Sequence, residues 1–264
     1  MAQESFYIPQ GEGFLSTDHT RGPWNPEHQH GGPPSALLAR EMERRFPPPV
    51  PMQIVRFHVE LLRPIPVGLL RVEARLLREG KKVRAAQAAL FAENKEVCRA
   101  GAQWIRSEAG HLPARTGAVE ESPLRPPEGC KPFEFPFRAA GTSYINSMEG
   151  RASGGKYGSG AFQAWMRMRV PLLPGEAPTG VQRVLIAADS GSGLSAGLNP
   201  MEATFLNPDL TVYLHREPQG EWIGFDARSI YEPHGIGLAQ TLLCDERGPI
   251  GRGAQSLVVE RRGK

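Results

Sequence analysis

The sequence is short of cysteine, of charge of one sign and of long apolar runs, and each shortage excludes a class of protein. Three cysteines (Cys98, Cys130, Cys244) in 264 residues are odd in number and lack metal-ligand spacing. They read as reduced thiols rather than a disulfide framework, which points to the cytoplasm. Lys and Arg number 31 against 28 Asp and Glu, a formal charge of +3 scattered along the chain. No basic stripe interleaved with aromatics is present, so nucleic acid is not an expected partner. No apolar run approaches the roughly 20 residues that a spanning helix needs. Residues 1–10 also lack a basic stretch leading into an apolar one. Neither a membrane nor an export signal is therefore expected.

What the chain does have is an internal repeat. Val59-Glu60-Leu61-Leu62-Arg63 recurs as Val212-Tyr213-Leu214-His215-Arg216, Ala74-Arg75 as Ala227-Arg228, and Ala86-Gln87 as Ala239-Gln240. The offset is 153 residues each time; after one deletion, Ala102-Gln103 matches Ala254-Gln255 at 152. A register kept over that span marks a duplication.

Each copy has the same order, a helix followed by extended segments. Pro33-Pro34 in the first turn, with Leu37, Leu38 and Met42 on one face, predicts a helix over 35–46. Strands are predicted over 53–63, 69–79, 83–92 and 96–106. Alternation such as Phe57-His58-Val59-Glu60-Leu61 marks a half-buried antiparallel sheet. In copy two the helix is predicted over 181–190 and the strands over 209–216, 222–231, 238–245 and 250–260. The expected division is a first repeat over 1–106, a solvent-exposed Pro/Gly-rich linker over 107–140, and a second repeat over 141–264. The fold class is α+β, two fused helix-on-antiparallel-sheet repeats. Pairing the copies covers the sheet edge and apolar face that one copy would leave bare.

Against this frame, His30-Gly31-Gly32-Pro33-Pro34-Ser35-Ala36-Leu37-Leu38 resembles the start of the central helix in the TesB-like acyl-CoA thioesterase family. Asp189, after Val184-Leu185-Ile186-Ala187-Ala188, resembles the acid of that family's second helix. Leu214-His215-Arg216 and Arg252-Gly253-Ala254-Gln255 resemble its later strands, in order and over nearly the whole chain. The resemblance implies a double hot-dog fold and hydrolysis of acyl-CoA-type thioesters without metal, cofactor or covalent intermediate. It also implies an acyl-CoA or acyl-carrier substrate, and admits homo-oligomerisation through sheet edges. Carried over by position, it makes Asp189 and Gln255 catalytic. The family's third member is a short hydroxyl residue, usually Thr, on the strand after the His-Arg pair. Its strict counterpart here is Ile230, with Ser229 one residue away. A one-residue shift turns a strand side chain to the opposite face. Either a bulge brings Ser229 in as the third catalytic residue, or the hydroxyl is missing.

Thioester hydrolysis needs an activated water and stabilisation of charge on the carbonyl oxygen. Asp189 can serve as general base, and the Gln255 amide can orient the same water. His30, Gly31 and Gly32, at a helix N-terminus, are the expected substrate-binding residues, because glycine lets a carbonyl approach the amides closely. The mild positive charge suits the phosphates of CoA. By the 153-residue offset, the counterpart of Asp189 falls near Ala36, while Gln103 matches Gln255, so only the second copy keeps an acid. A structural reading remains for both residues: Asp189 as a helix C-terminal group bonding the next loop, Gln255 as partner of a neighbouring amide.

Other readings compete. Gly193-Leu194-Ser195-Ala196-Gly197 fits the nucleophile elbow of a serine hydrolase, with His234 in triad order. Against it, no βαβ units precede Ser195, and the repeat goes unexplained. A hot-dog hydratase or dehydratase could use His30 with Asp189, one from each copy. A non-catalytic acyl-binding module would keep the groove alone. Gly150 to Lys156 fits a phosphate-loop pattern, but Tyr157 stands where Ser or Thr is needed, so a flexible glycine loop is expected. Glu27, His28 and His30 lack a further spaced ligand and read as exposed loop residues.

Overall fold

The alternating segments become strands because one face of each is apolar enough to bury. In Met52–Leu61, Ile54, Phe57 and Val59 turn inward and Arg56, His58 and Glu60 turn out. A computed structural model describes residues 4–108, 110–112, 117–118, 120–136 and 141–262. The first repeat comprises β1 (Tyr7–Gln10), β2 (Gly13–Ser16), α1 (Gly32–Arg45), β3 (Met52–Leu61), β4 (Leu69–Arg78), β5 (Val83–Ala92) and β6 (Lys95–Arg106). There follow β7 (Lys131–Pro132), β8 (Met148–Gly155), β9 (Ala161–Met168), α2 (Gly180–Ala188) and α3 (Gly191–Leu194). The chain ends with β10 (Ala203–Leu206), β11 (Asp209–Leu214), β12 (Ile223–Tyr231), β13 (Ile236–Asp245) and β14 (Gly248–Arg261).

Among the described residues the strands form one antiparallel sheet in the order β1-β2-β4-β5-β6-β3-β11-β14-β13-β12-β9-β8-β7, with β10 beside β14. The order mirrors itself about the β3–β11 seam, where Val59 faces Leu210. These are the two fused helix-on-sheet repeats expected from the duplication, arranged as the double hot-dog that the resemblance implies. Helix α1, with Leu37, Leu38 and Met42 fully buried, lies on β4, β5 and β6; α3 lies on β12, β13 and β14. Helix α2 packs against α1 and lies on β9 and β12. Buried core residues such as Phe57 and Phe225 are each worth about 1.5–3 kcal/mol of burial. Among the described residues no helix is long and apolar enough to cross a membrane.

Strand register corrects part of the sequence reading. Ala86 pairs with Ala102 and Ala239 with Gln255, both members advancing together, so no deletion intervenes. The counterpart of Gln255 is Ala102; Gln103 points to the other face. The two strands before each helix, β1–β2 and β8–β9, escaped the sequence patterns. Residues 150–156, expected as a flexible loop, lie largely in β8, because backbone pairing with β9 holds them whatever their side chains.

The expected exposed linker is also different. Its residues 109, 113–116, 119 and 137–140 lie outside the described residues. The described part of 120–136 is a strap packed on the second repeat. Leu124 and Cys130 join Trp165, Trp222, Leu242 and Cys244 in a small cluster on the outer face. Gly224 makes room, since a Cβ there would meet Leu124 Cδ1 at 2.5 Å. Trp165 Nε1 donates to the Arg125 carbonyl at 2.7 Å. The strap then pairs with β8 at the sheet edge and buries Phe135 in the main core. Its apolar residues are too widely spaced among Pro and Gly to show a period, so composition alone suggested a tether.

Candidate active site

The helix of the second repeat breaks where Ala188 is followed by Asp189-Ser190, and α3 resumes at Gly191. Asp189 is the C-cap of α2 and is only 6% exposed. Its carboxylate is held from three directions. Asn207 Nδ2 donates to Oδ1 at 2.7 Å. Gln255 Nε2 donates to the Asp189 carbonyl at 3.1 Å and lies 3.4 Å from Oδ1. His30 Nδ1 lies 3.1 Å from Oδ2 and 3.2 Å from the Gly32 amide nitrogen. The Gln255 Oε1 accepts the Ser192 amide at 3.0 Å, so this side chain ties both halves of the broken helix to β14.

The first helix meets the second at its glycines. A Cβ on Gly31 would lie 2.9 Å from Asp189 Oδ2, and one on Gly32 would lie 2.2 Å from the Ile186 carbonyl oxygen. The His30 ring stacks on Tyr144 with centroids 3.7 Å apart. The Tyr144 hydroxyl bridges the Ile186 carbonyl and Ser190 Oγ, both at 2.8 Å. Burial lowers the His30 pKa, against the opposing pull of Asp189; burial also raises that of Tyr144. Both therefore sit neutral beside the acid.

His30, Gly31, Tyr144, Asp189, Ser190 and Asn207 line a cavity of about 430 Å³, with Gln255 behind Asp189. Its lining includes exposed Leu62, Leu206 and Val258 and buried Tyr144, Phe135 and Ser190. The lining is mostly apolar, as a site for an acyl chain requires. Among the described residues, no group of three or more His, Cys, Asp or Glu is arranged to hold a metal ion.

Of the expected residues, Asp189, Gln255, His30 and Gly31 are brought together, with Gly32 directly behind them. His30 is a largely buried member of this group rather than the exposed loop residue its metal pattern suggested. Ser229 is placed elsewhere. No bulge is needed to turn it inward, because it shares the inner face with Phe225 and Ala227 while Ile230 is 61% exposed. Its Oγ pairs with Ser195 Oγ at 2.7 Å, and none of its hydrogen bonds reaches Asp189. The residue in contact with the acid is Asn207, which the sequence reading missed. It lies just ahead of β11 in an Asn-Pro step that reads only as a turn. Tyr144 was missed as well.

The serine-hydrolase alternative fails on geometry. Ser195 is fully buried in a 3.6-residue turn after α3, donates to the Gly191 carbonyl at 2.8 Å, and sits under an antiparallel sheet. His234 is exposed in the β12–β13 turn. Ser195→Ala is expected to keep thioesterase turnover within about threefold of wild type and to cost about 0.5–1.5 kcal/mol of stability for the lost hydrogen bond. Steady-state kinetics and urea unfolding check both.

Two fused repeats meeting over an apolar cavity, with a buried acid on its wall, define a double hot-dog protein suited to acyl thioesters. Models of the acyl-CoA thioesterase N-terminal and C-terminal domains match residues 20–105 and 113–259. The chain belongs to the acyl-CoA thioesterase family, and its enzymatic class is that of a thioesterase. No curated protein matches the sequence. Among solved structures, a candidate thioesterase from Novosphingobium aromaticivorans is similar at 20% identity and TM-score 0.74, covering 96% of this chain and 98% of that one. A hot-dog protein of unknown function from Alicyclobacillus acidocaldarius is similar at 16% identity and TM-score 0.73, covering 98% and 96%. The TesB protein of Mycobacterium avium subsp. paratuberculosis is similar at 15% identity and TM-score 0.71, covering 96% and 95%. At such identities these three show the fold.

Proposed function

We propose that the protein hydrolyses acyl-CoA thioesters with Asp189 as general base toward water, without a covalent intermediate. The convergence of Asn207, Gln255 and His30 on one buried carboxylate, on the wall of an apolar cavity, carries the reading. A hydrogen-bonded carboxylate of fixed orientation can take a proton from a water in the cavity. The hydroxide formed attacks the thioester carbonyl, and the tetrahedral oxyanion collapses with loss of the CoA thiolate. The thiolate recovers the proton from Asp189, leaving carboxylic acid and free thiol. The N-terminus of α1, open to the cavity at Gly31, supports the oxyanion through its helix dipole.

His30 is a positioning residue: its Nδ1 lies 3.1 Å from Asp189 Oδ2 and accepts the Gly32 amide at 3.2 Å. Gln255 acts through Asp189 and Ser192, and Asn207 takes the place expected for Ser229.

The test is thiol release from short, medium, long and aromatic acyl-CoAs by wild type, Asp189→Asn and Ser195→Ala. Loss in Asp189→Asn alone supports the reading. Loss in Ser195→Ala alone, or no turnover by wild type, overturns it. The 3.1 Å approach of His30 to Asp189 also favours hydration of an enoyl-CoA as a second reading. Loss of enoyl absorbance without thiol release distinguishes the two.

The histidine makes a separate prediction. Its folded pKa is depressed below the ordinary 6.5. Above that value neither state binds the proton, and stability is at its full level. As pH falls through the ordinary value toward the folded one, the unfolded chain takes up the proton first and stability is lost. Thermal unfolding between about pH 7.5 and 5 is expected to show this fall, and His30→Gln to reduce it. His58 on β3, also depressed by burial and by Arg56, acts in the same direction.

A further inference from the structure

The hydrogen bonds around Asn207 fix which way its amide points. Nδ2 donates to Asp189 Oδ1 at 2.7 Å and to the Asp209 carbonyl at 3.3 Å. Both partners are acceptors, so this end must be the NH2 group, and its two hydrogens are used. The other end, Oδ1, is a pure acceptor. It has no partner among the described residues and is not sealed from solvent. Asn207 and Asp189 both line the cavity of about 430 Å³. The oxygen and nitrogen of an amide lie about 2.3 Å apart, so Asn207 Oδ1 is within about 5 Å of the Asp189 carboxylate. One water making two hydrogen bonds of about 2.8 Å spans that distance. Gln255, the residue expected to orient the water, is engaged elsewhere. Its Oε1 accepts the Ser192 amide and its Nε2 serves Asp189. It is 2% exposed and lies off the cavity lining.

We propose that Asn207 is a catalytic residue that holds the attacking water through Oδ1, a task in which Gln255 has no part. The inference rests on the reading of Asp189 as general base. The water donates one hydrogen to the Asp189 carboxylate and the other to Asn207 Oδ1. With both hydrogens directed at acceptors, a lone pair of the oxygen is left for the thioester carbonyl carbon. As the C–O bond forms, Asp189 takes the first hydrogen as a proton. The second stays on the oxygen, held by Asn207. When the C–S bond breaks, the proton on Asp189 passes to the thiolate, and the second hydrogen leaves with the carboxylic acid. Nδ2 ties the same amide to the acid and to the backbone of β11, so water and base are fixed relative to each other.

The pH profiles of kcat and KM in wild type, Asn207→Val and Asn207→Thr test this. Loss of the Nδ2 bond to the carboxylate moves the acid limb of kcat/KM to higher pH and leaves the plateau above it in place. Loss of the anchor on the water lowers the plateau itself, by about a hundredfold. Of the titratable groups around Asp189, burial holds His30 neutral and pushes Cys98 and Tyr144 up, so none of them charges on the plateau. Asn207→Val, with neither donor nor acceptor, is expected to show both effects, with KM within about threefold of wild type. Asn207→Thr, whose hydroxyl can donate to Asp189 and accept from the water, is expected to regain about tenfold or more of the plateau kcat. Near-ultraviolet circular dichroism identifies a variant that misfolds, and Asn207→Ala then replaces Asn207→Val. A plateau kept within about threefold while the acid limb alone moves overturns the proposal. So does a rise in KM in place of the fall in kcat, or an equal plateau in the Thr and Val variants. Asp189→Asn separates the two claims. If it abolishes turnover while Asn207→Val keeps the plateau, Asp189 stands and the role of Asn207 falls. If turnover survives Asp189→Asn, the reading of the base falls, and that of Asn207 with it.

Discussion

Asp189→Asn is expected to lower kcat for every acyl-CoA by about a hundredfold to ten-thousandfold, the usual contribution of a general base. KM is expected to change little, because the lost interaction belongs to the transition state. The substitution is isosteric and keeps an oxygen that can accept from Asn207 Nδ2, now 2.7 Å from Oδ1. The amide cannot take a proton from water. Far-ultraviolet circular dichroism should match wild type, so the loss is chemical rather than structural. Equal loss of kcat in a variant with an altered spectrum would instead mark Asp189 as a structural cap. Asn207→Ala is a weaker version of the same experiment, since Gln255 and His30 still hold the acid.

Gly32→Ala is expected to have the largest effect on stability. Its Cβ would fall 2.2 Å from the Ile186 carbonyl oxygen, which is backbone and cannot rotate aside. Helices α1 and α2 must separate, and overpacking of this kind costs about 1–3 kcal/mol. In a chain of this size that lowers Tm by about 2–10 °C. The neighbouring Gly31→Ala meets the Asp189 side chain instead, with Oδ2 at 2.9 Å. It is expected to disturb activity more than Tm. A thermal melt and a kinetic assay on both variants separate the packing role of one glycine from the site role of the other.

The positions of the strands were largely legible. Strand β5 has the predicted bounds, and the others of the two long meanders differ by a residue or two at their ends. Alternation is a local property, and a half-buried face imposes it on any strand. The short hairpin β1–β2 and the pair β8–β9 were not legible. Gly150, Gly154 and Gly155 in β8 carry no side chain to alternate, and the strand exists because β9 pairs with it. The strap at 120–136 was read as a tether for a similar reason. Leu124 and Cys130 join one outer cluster and Phe135 the main core, a fact that no period in the sequence records.

Asp189, Gln255 and the His30-Gly31-Gly32 turn were found by resemblance, and the fold brings them to one place. Ser229 was one residue from the expected position and faces inward, yet it serves Ser195. Gln103 looked like a second copy of Gln255 until strand pairing set Ala102 in that place.

The sequence by itself determined the duplication, the strands of the two long meanders and the presence of α1, which begins at Gly32 rather than Ser35. Each depends on spacing along the chain, and spacing is conserved when the chain folds. Tertiary structure alone decided that Asn207 holds the acid, that Tyr144 stacks on His30, and that Phe135 joins the cavity lining. Those contacts join segments far apart in sequence. Which of them meet depends on strand register, on the break between α2 and α3, and on the path of the strap around the sheet edge.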